Sequence, residues 1–259
     1  RQFQVARVLV VDDHPGNLKL ARVFLEEMGV DVVPCASGEE ALTAFSRGTF
    51  DLVFMDVQMP GMDGLETTRQ MREREGEGLR TPIIALTAHA LESERRSLLA
   101  AGMDDYLSKP ITEGQLRHTL ERWTRSDGAE CEPASEEVPP APEPDTTDQV
   151  VDEALGKQRA GGREHLARDM FSMLLASLEQ DAPGINALSE SNNRDALLER
   201  VHKLHGACRY CGTPRLERAA RELEEGLKTD VDDDRLEHLV ATLLAEIESV
   251  RQYGQAARL

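Results

Sequence analysis

From residue 7 to residue 107 the chain alternates short apolar runs with stretches of helical period. The runs are RVLVV (7–11), VDVV (30–33), DLVFM (51–55), TPIIAL (81–86) and DYL (105–107). Several are apolar throughout instead of alternating, the pattern of strands covered on both faces by crossover helices. Between them, NLKLARVFLEEMG (17–29) sets Leu18, Leu20, Ala21, Phe24, Leu25 and Met28 at helical spacing and stops at Gly29. Five strand-helix units over residues 1–125 predict a doubly wound α/β domain with a five-stranded parallel sheet.

After residue 150 strands vanish and only helical period remains. Leu166, Met170, Met173, Leu174 and Leu178 form one stripe, and Leu236, Val240, Leu243, Ile247 and Val250 another. Asp234 followed by Glu237 reads as a capping box at the start of the last helix. Gly212, Thr213 and Pro214 read as a helix stop, a cap and a first-turn proline. Residues 150–259 are expected to form an all-α antiparallel bundle of about four helices.

Composition separates the two parts. Residues 126–149, SDGAECEPASEEVPPAPEPDTTDQ, hold eight acids, five prolines and no Lys or Arg. Such a segment buries too little apolar surface to offset its ordering entropy, and is expected to be a flexible linker. It carries -8 of the net charge of -18, leaving -10 for the folded parts. An acidic chain with 40% hydrophobic and 30% charged residues is expected to be soluble and to make no direct contact with nucleic acid or membrane. No apolar run reaches the roughly 18 residues of a spanning helix and no signal peptide opens the sequence, so a cytoplasmic location is expected. The chain opens at Arg1 shortly before its first strand, as a fragment of a longer protein would. Cys35, Cys131, Cys208 and Cys211 are too few and too irregularly spaced for a disulfide scaffold.

The polar residues of the first domain fall at one place. Asp12 and Asp13 follow the first strand, Asp56 the third, Thr87 the fourth and Lys109 the fifth. In a parallel sheet of order 2-1-3-4-5 ligands bind outside those carboxyl ends, where the first and third strands are neighbours. One Asp after one strand would mean a solvated loop or a cap; three Asp, a Thr and a Lys at the same ends mean a site. Three convergent carboxylates repel unless a cation sits among them, and a partial set of hard oxygen ligands suits Mg2+.

The stretches VLVVDDHPGN, DLVFMDVQMPGMDG, PIIALTAHA and DDYLSKPI closely resemble the CheY-like (flavodoxin-like) receiver domain of two-component response regulators, over roughly residues 6–124. The resemblance implies that Asp56 is the phospho-accepting nucleophile, and that Asp13 and Asp56 ligate Mg2+ directly with Asp12 acting largely through water. It also implies the backbone carbonyl of Gln58 as a metal ligand, Lys109 as partner of a phosphoryl oxygen, Thr87 as the switching hydroxyl and Tyr106 as the aromatic rotamer that follows it. Catalysis would be by positioning and charge neutralisation. No base is expected to be needed at Asp56, since a carboxylate is ordinarily ionised near neutral pH. Ala88 would leave room for the phosphoryl group, with Gln58 and His89 flanking it. An aspartate-nucleophile phosphatase of the haloacid dehalogenase type would want Asp-x-Asp, where this chain has Asp56-Val57-Gln58.

In the second part VHKLHGACRYCG (201–212) sets two histidines and two cysteines at spacings of three. On a helix from about Asp195 to Cys211, Leu197, Val201, Leu204, Cys208 and Cys211 share the apolar stripe. His202, His205 and Arg209 are then expected on a neighbouring, wetter face, with Gly206 leaving the His202 imidazole unshielded. The cysteines would face the core, away from any common centre with the histidines, which argues against a zinc or redox site.

HKLHG resembles the His-x-Leu-Lys-Gly signature of histidine-containing phosphotransfer (HPt) domains, which implies that His202 is the phosphorylated histidine. His205 stands where that signature has Lys and is expected, with Lys203 and Arg209, to help hold a phosphoryl group. A receiver joined to an HPt bundle resembles part of hybrid sensor histidine kinases of the GacS and BarA type. That resemblance implies an inner-membrane-anchored sensor of which this is a cytoplasmic part, an upstream kinase transmitter domain as donor and the receiver domain of a separate response regulator as acceptor. No Gly-rich nucleotide motif is present, so ATP chemistry is not expected of this chain. The competing readings are a scaffold that passes no phosphate, and a drain in which His202 returns phosphate to Asp56 for hydrolysis.

Overall fold

The computed structural model describes residues 6–75, 80–87, 92–124, 148–229 and 231–257. The chain divides into two compact units at Glu143 and Pro144. The segment expected to be a linker, 126–149, lies outside the described residues except for its last two.

In the first unit β1 (Arg7–Val11), α1 (Pro15–Glu27), β2 (Asp31–Cys35), α2 (Gly38–Arg47), β3 (Leu52–Asp56), α3 (Gly64–Arg74), β4 (Ile83–Thr87), α4 (Glu92–Ala100), β5 (Asp105–Ser108) and α5 (Glu113–Thr124) alternate along the chain. All strand pairs are parallel, in the order β2-β1-β3-β4-β5. This is the doubly wound sheet that the uninterrupted apolar runs predict. β3 and β4 are buried at every position and β1 at all but Arg7, because helices cover both faces of the central strands.

Register fixes what meets at the carboxyl edge. Val11 pairs with Met55, which brings Asp12 and Asp13 beside Asp56, and Thr87 pairs with Ser108, one residue before Lys109. The chain turns back directly after Asp56: Gly64 donates to the Val57 carbonyl at 3.0 Å, and a Cβ at Gly64 would collide with the Asp56 carbonyl oxygen. Only glycine lets α3 start this close to β3.

In the second unit a short α6 (Glu153–Arg159) precedes four longer helices, α7 (Glu164–Glu190), α8 (Arg194–Cys208), α9 (Pro214–Lys228) and α10 (Asp233–Ala257). These four pack in a ring, α7 on α8, α8 on α9, α9 on α10 and α10 on α7, with short connections that make sequential neighbours antiparallel. The core is built from the expected stripes, with Leu166, Leu178, Val201, Leu204, Leu243 and Val250 all buried, and from Leu223 on α9. The last helix is capped differently from expectation. Asp232, not Asp234, accepts from the Arg235 amide at 2.8 Å, since burying Leu236 and Val240 selects one register among three consecutive acids. Helix α8 also ends at Cys208, three residues early, in a tighter turn where Cys211 donates to the Cys208 carbonyl at 3.1 Å. Gly212 then takes φ +64 against α6, where a Cβ would collide with the Asp152 carbonyl. Thr213 holds the cap position and Pro214 the first turn of α9, without a side-chain cap bond.

Candidate functional sites

The first site lies at the carboxyl edge of the sheet. Ligand oxygens of Asp12, Asp13 and Asp56 lie within 4.8 Å of one another, a group that can hold a metal ion. Asp12 and Asp56 are 1% and 4% exposed. Two buried carboxylates this close need a counter-charge, and the Lys109 ammonium sits 2.8 Å from Asp12 Oδ2 and 2.7 Å from Asp56 Oδ2. The Lys109 amide donates to the Thr87 carbonyl at 2.7 Å, which ties the ends of β4 and β5 together.

Asp12 is held by more than Lys109. The His14 amide donates to its Oδ1 at 2.9 Å, and Asn17 Nδ2 spans Oδ1 and Oδ2 at 3.0 and 3.1 Å. Both oxygens are therefore engaged by protein donors. The Gln58 amide donates to Asp56 Oδ1 at 3.2 Å. Thr87 is buried at the end of β4, and Tyr106, half-buried on β5, packs against the hydrophobic core. Ala88 and His89 lie outside the described residues.

Burial pushes the Asp56 carboxyl up to about 7, with Lys109 opposing the rise and Asp12 and Asp13 adding to it. Burial thus opposes ionisation of Asp56, and the cation beside it favours the charged form.

The second site lies on α8 and α9. Glu224, on α9 and 6% exposed, accepts from His202 Nδ1 through Oε1 at 2.9 Å and from His205 Nδ1 through Oε2 at 2.6 Å. An ionised carboxylate only accepts, so each imidazole carries a hydrogen on Nδ1, and in the neutral ring Nε2 is then the lone pair. Lys228, one turn after Glu224, donates to the same Oε1 at 2.6 Å. Burial raises the Glu224 carboxyl, but the donors His202, His205 and Lys228 outweigh it and hold the group well below the usual carboxylate range.

The His202 side chain is 29% exposed, and the space at Gly206 is open, with nothing within 4 Å of where a Cβ would stand. His205 departs from expectation. It is buried, at 7% side-chain exposure, and its pKa is lowered by that burial. The reason is angular: at about 100° per residue, His205 falls about 40° from Val201, at the edge of the apolar stripe, while His202 falls about 100° away. Lys203 points elsewhere, 3.4 Å from Glu199 on the preceding turn, and Arg209 is half-buried at the end of α8. Cys208 and Cys211 are both buried, and burial raises Cys208 well above the ordinary thiol range and Cys211 to about 12. Inert packed thiols are the result.

Three functional side chains were not singled out by the sequence: Asn17, Glu224 and Lys228. Glu224 and Lys228 stand at i and i+4 on α9 and so share a face. That this face meets His202 depends on how α9 packs on α8.

A parallel sheet with an acid-lysine cluster at its edge, followed by a bundle with a carboxylate-held histidine, defines a class. Residues 8–121 match the response regulator receiver domain and residues 169–253 match the Hpt domain. The chain belongs to the two-component phosphorelay proteins that carry both domains. Among the most similar relatives, the sensor histidine kinase GacS of Pseudomonas protegens is 47% identical over 93% of this chain and 27% of that protein. The signal transduction histidine-protein kinase BarA of Escherichia coli is 36% identical over 94% of this chain and 26% of that protein. The chain thus spans about a quarter of the length of these curated relatives. The receiver domain of the Pseudomonas aeruginosa sensor histidine kinase PA1611, solved with a magnesium ion coordinated in its active-site cleft, is 39% identical, with a TM-score of 0.43, over 47% of this chain and 98% of that one. Among the described residues no helix is long and apolar enough to cross a membrane.

Proposed function

We propose that this chain passes a phosphoryl group from the histidine of a kinase transmitter domain to Asp56, then to His202, and onward to the aspartate of a separate response regulator. In this reading 1–125 is the receiver, 126–149 a flexible linker and 150–259 the HPt bundle. Support comes chiefly from one observation: a single chain holds both a lysine-bridged carboxylate cluster and an open histidine with its Nδ1 hydrogen engaged.

Asp56 attacks phosphorus with a carboxylate oxygen, and the donor histidine leaves with the former P–N bonding pair. Lys109 offsets charge on the transferring oxygens, and Thr87 is the hydroxyl that responds to them, with Tyr106 following. Mg2+ fits the cluster: Asp13, Asp56 and the Gln58 carbonyl would hold it, with Asp12 largely through water, and it would neutralise further negative charge. Asn17 and His14 keep Asp12 in place for that role.

For the second transfer, His202 attacks phosphorus with Nε2 and the Asp56 carboxylate leaves with the former P–O bonding pair, while Glu224 keeps the hydrogen on Nδ1 and stabilises positive charge as it develops on the ring. Lys228 shares Glu224 Oε1 with this ring. It supplies the charge that the HPt signature would draw from a lysine at position 205. As parts of a hybrid kinase of the GacS and BarA type, these domains would lie on the cytoplasmic side of an inner-membrane sensor.

Intact-mass analysis after incubation with phosphoramidate and Mg2+ tests the first transfer. An alkali-labile adduct should form on the wild type and be absent from Asp56→Asn. Labelling of that variant at the wild-type rate with an alkali-labile group would overturn the assignment.

A further inference from the structure

We infer that His205 is a positioning residue that acts on His202 through Glu224 and takes no part in holding the phosphoryl group. The inference rests on the relay reading of His202 and concerns how that histidine is kept competent.

Glu224 is nearly sealed from solvent, and a buried carboxylate stays ionised only when its oxygens are hydrogen-bonded. Oε1 has His202 and Lys228; the donor recorded for Oε2 is His205. Without His205 the carboxyl group can turn about its terminal bond or take up a proton, which makes it a donor. Either change releases the Nδ1 hydrogen of His202, and a free imidazole exchanges between tautomers and ring flips. The nucleophilic lone pair on Nε2 is then present only part of the time.

The surroundings suit a fixed clamp. His205 donates through Nδ1–H while neutral, so its contact needs no positive charge. Burial favours that neutral form, Arg209 at the C-cap of α8 adds to this, and Glu224 and Glu217 on α9 oppose it. The exposed face at His202 and the buried position of His205 divide the work: one ring meets the phosphoryl group, and the other fixes the carboxylate between them.

The test uses the full chain with 15N-labelled histidine, comparing wild type with His205→Leu, His205→Asn and His205→Gln. An asparagine amide reaches nearly to the place of Nδ1, and a glutamine amide to that of Nε2. In the wild type, the His202 nitrogen shifts should report one tautomer, with hydrogen on Nδ1. In His205→Leu and His205→Gln they should move toward a mixture, and phosphoramidate labelling of His202 should slow about tenfold, the scale on which partners that orient a functional histidine act. His205→Asn should restore both readouts toward wild type. Equal tautomer signals and equal labelling across Asn and Gln would overturn the inference and leave the relay reading standing; this comparison serves even if His205→Leu does not fold. Faster hydrolysis of phosphorylated His202 in His205→Asn with its tautomer unchanged would also overturn it, since that is the mark of a phosphoryl-holding residue. A folded wild type that never labels at His202 would remove the relay reading itself, and the inference with it.

Discussion

The Lys109 ammonium stands 2.7 Å from Asp56 Oδ2 and 2.8 Å from Asp12 Oδ2, bridging two carboxylates that burial would otherwise set against each other. Lys109→Met should retain the sheet but lose the preorganised charge at the acceptor. Phosphoramidate labelling of Asp56 should fall by about 100-fold or more, the scale for removing one donor aimed at developing charge. A fall of less than threefold, read by mass at several times, would contradict the role given to Lys109.

Gly64 is the other constraint on Asp56, through its backbone. Gly64→Ala drives a methyl group into the Asp56 carbonyl, which is part of β3 and cannot swing aside as a flexible side chain could. The cost should be about 1–3 kcal/mol, as for overpacking in a filled core. The variant should also label more slowly, because β3 must shift where it carries the acceptor. Urea unfolding checks the first outcome and intact mass the second.

Acid should weaken the helical unit through His205. Its folded pKa is lowered by burial, so the unfolded chain takes up a proton near the ordinary value of about 6.5 while the folded chain does not. Stability is therefore fully present above that value and declines as pH falls from about 6.5 toward the lower folded pKa. His205→Asn removes the group, so calorimetric melts at pH 7.5 and 5.5 should differ less for the variant than for the wild type. Equal differences would place His205 outside the linkage.

The cysteines give a chemical check on the packing of both units. Burial raises the thiols of Cys35 to about 11 and Cys211 to about 12, with Cys208 well above the ordinary range. Peptide mapping after iodoacetamide at pH 8 should find these three protected in the folded chain and modified only after denaturation. Alkylation of Cys208 at the rate of a free thiol would contradict the placement of α8.

The receiver site was almost wholly legible in the sequence, because a parallel sheet converts position after a strand into position in space. Once RVLVV and DLVFM read as neighbouring strands, Asp12, Asp13 and Asp56 had to meet. The bundle offers no such rule. Helical period places His202 and Cys208 correctly, but His205 lies near the boundary of the stripe, where its facing depends on how closely α9 packs. Glu224 escaped for the same reason: its partner is on another helix, and no local spacing encodes that contact. Asn17 was hidden otherwise, as one more polar residue in a first helical turn whose side chain turns back to Asp12. The cap of α10 was misplaced because Asp232, Asp233 and Asp234 are locally equivalent.

The central claim is that His202 carries phosphate, and intact mass with site mapping tests it most directly. Wild type and His202→Gln are incubated with phosphoramidate and Mg2+, then treated with acid or alkali. The account predicts an alkali-stable, acid-labile adduct on His202 in the wild type and its loss in His202→Gln, with the alkali-labile adduct on Asp56 retained. An alkali-stable, acid-labile adduct that persists in His202→Gln, or maps to His205, would contradict it.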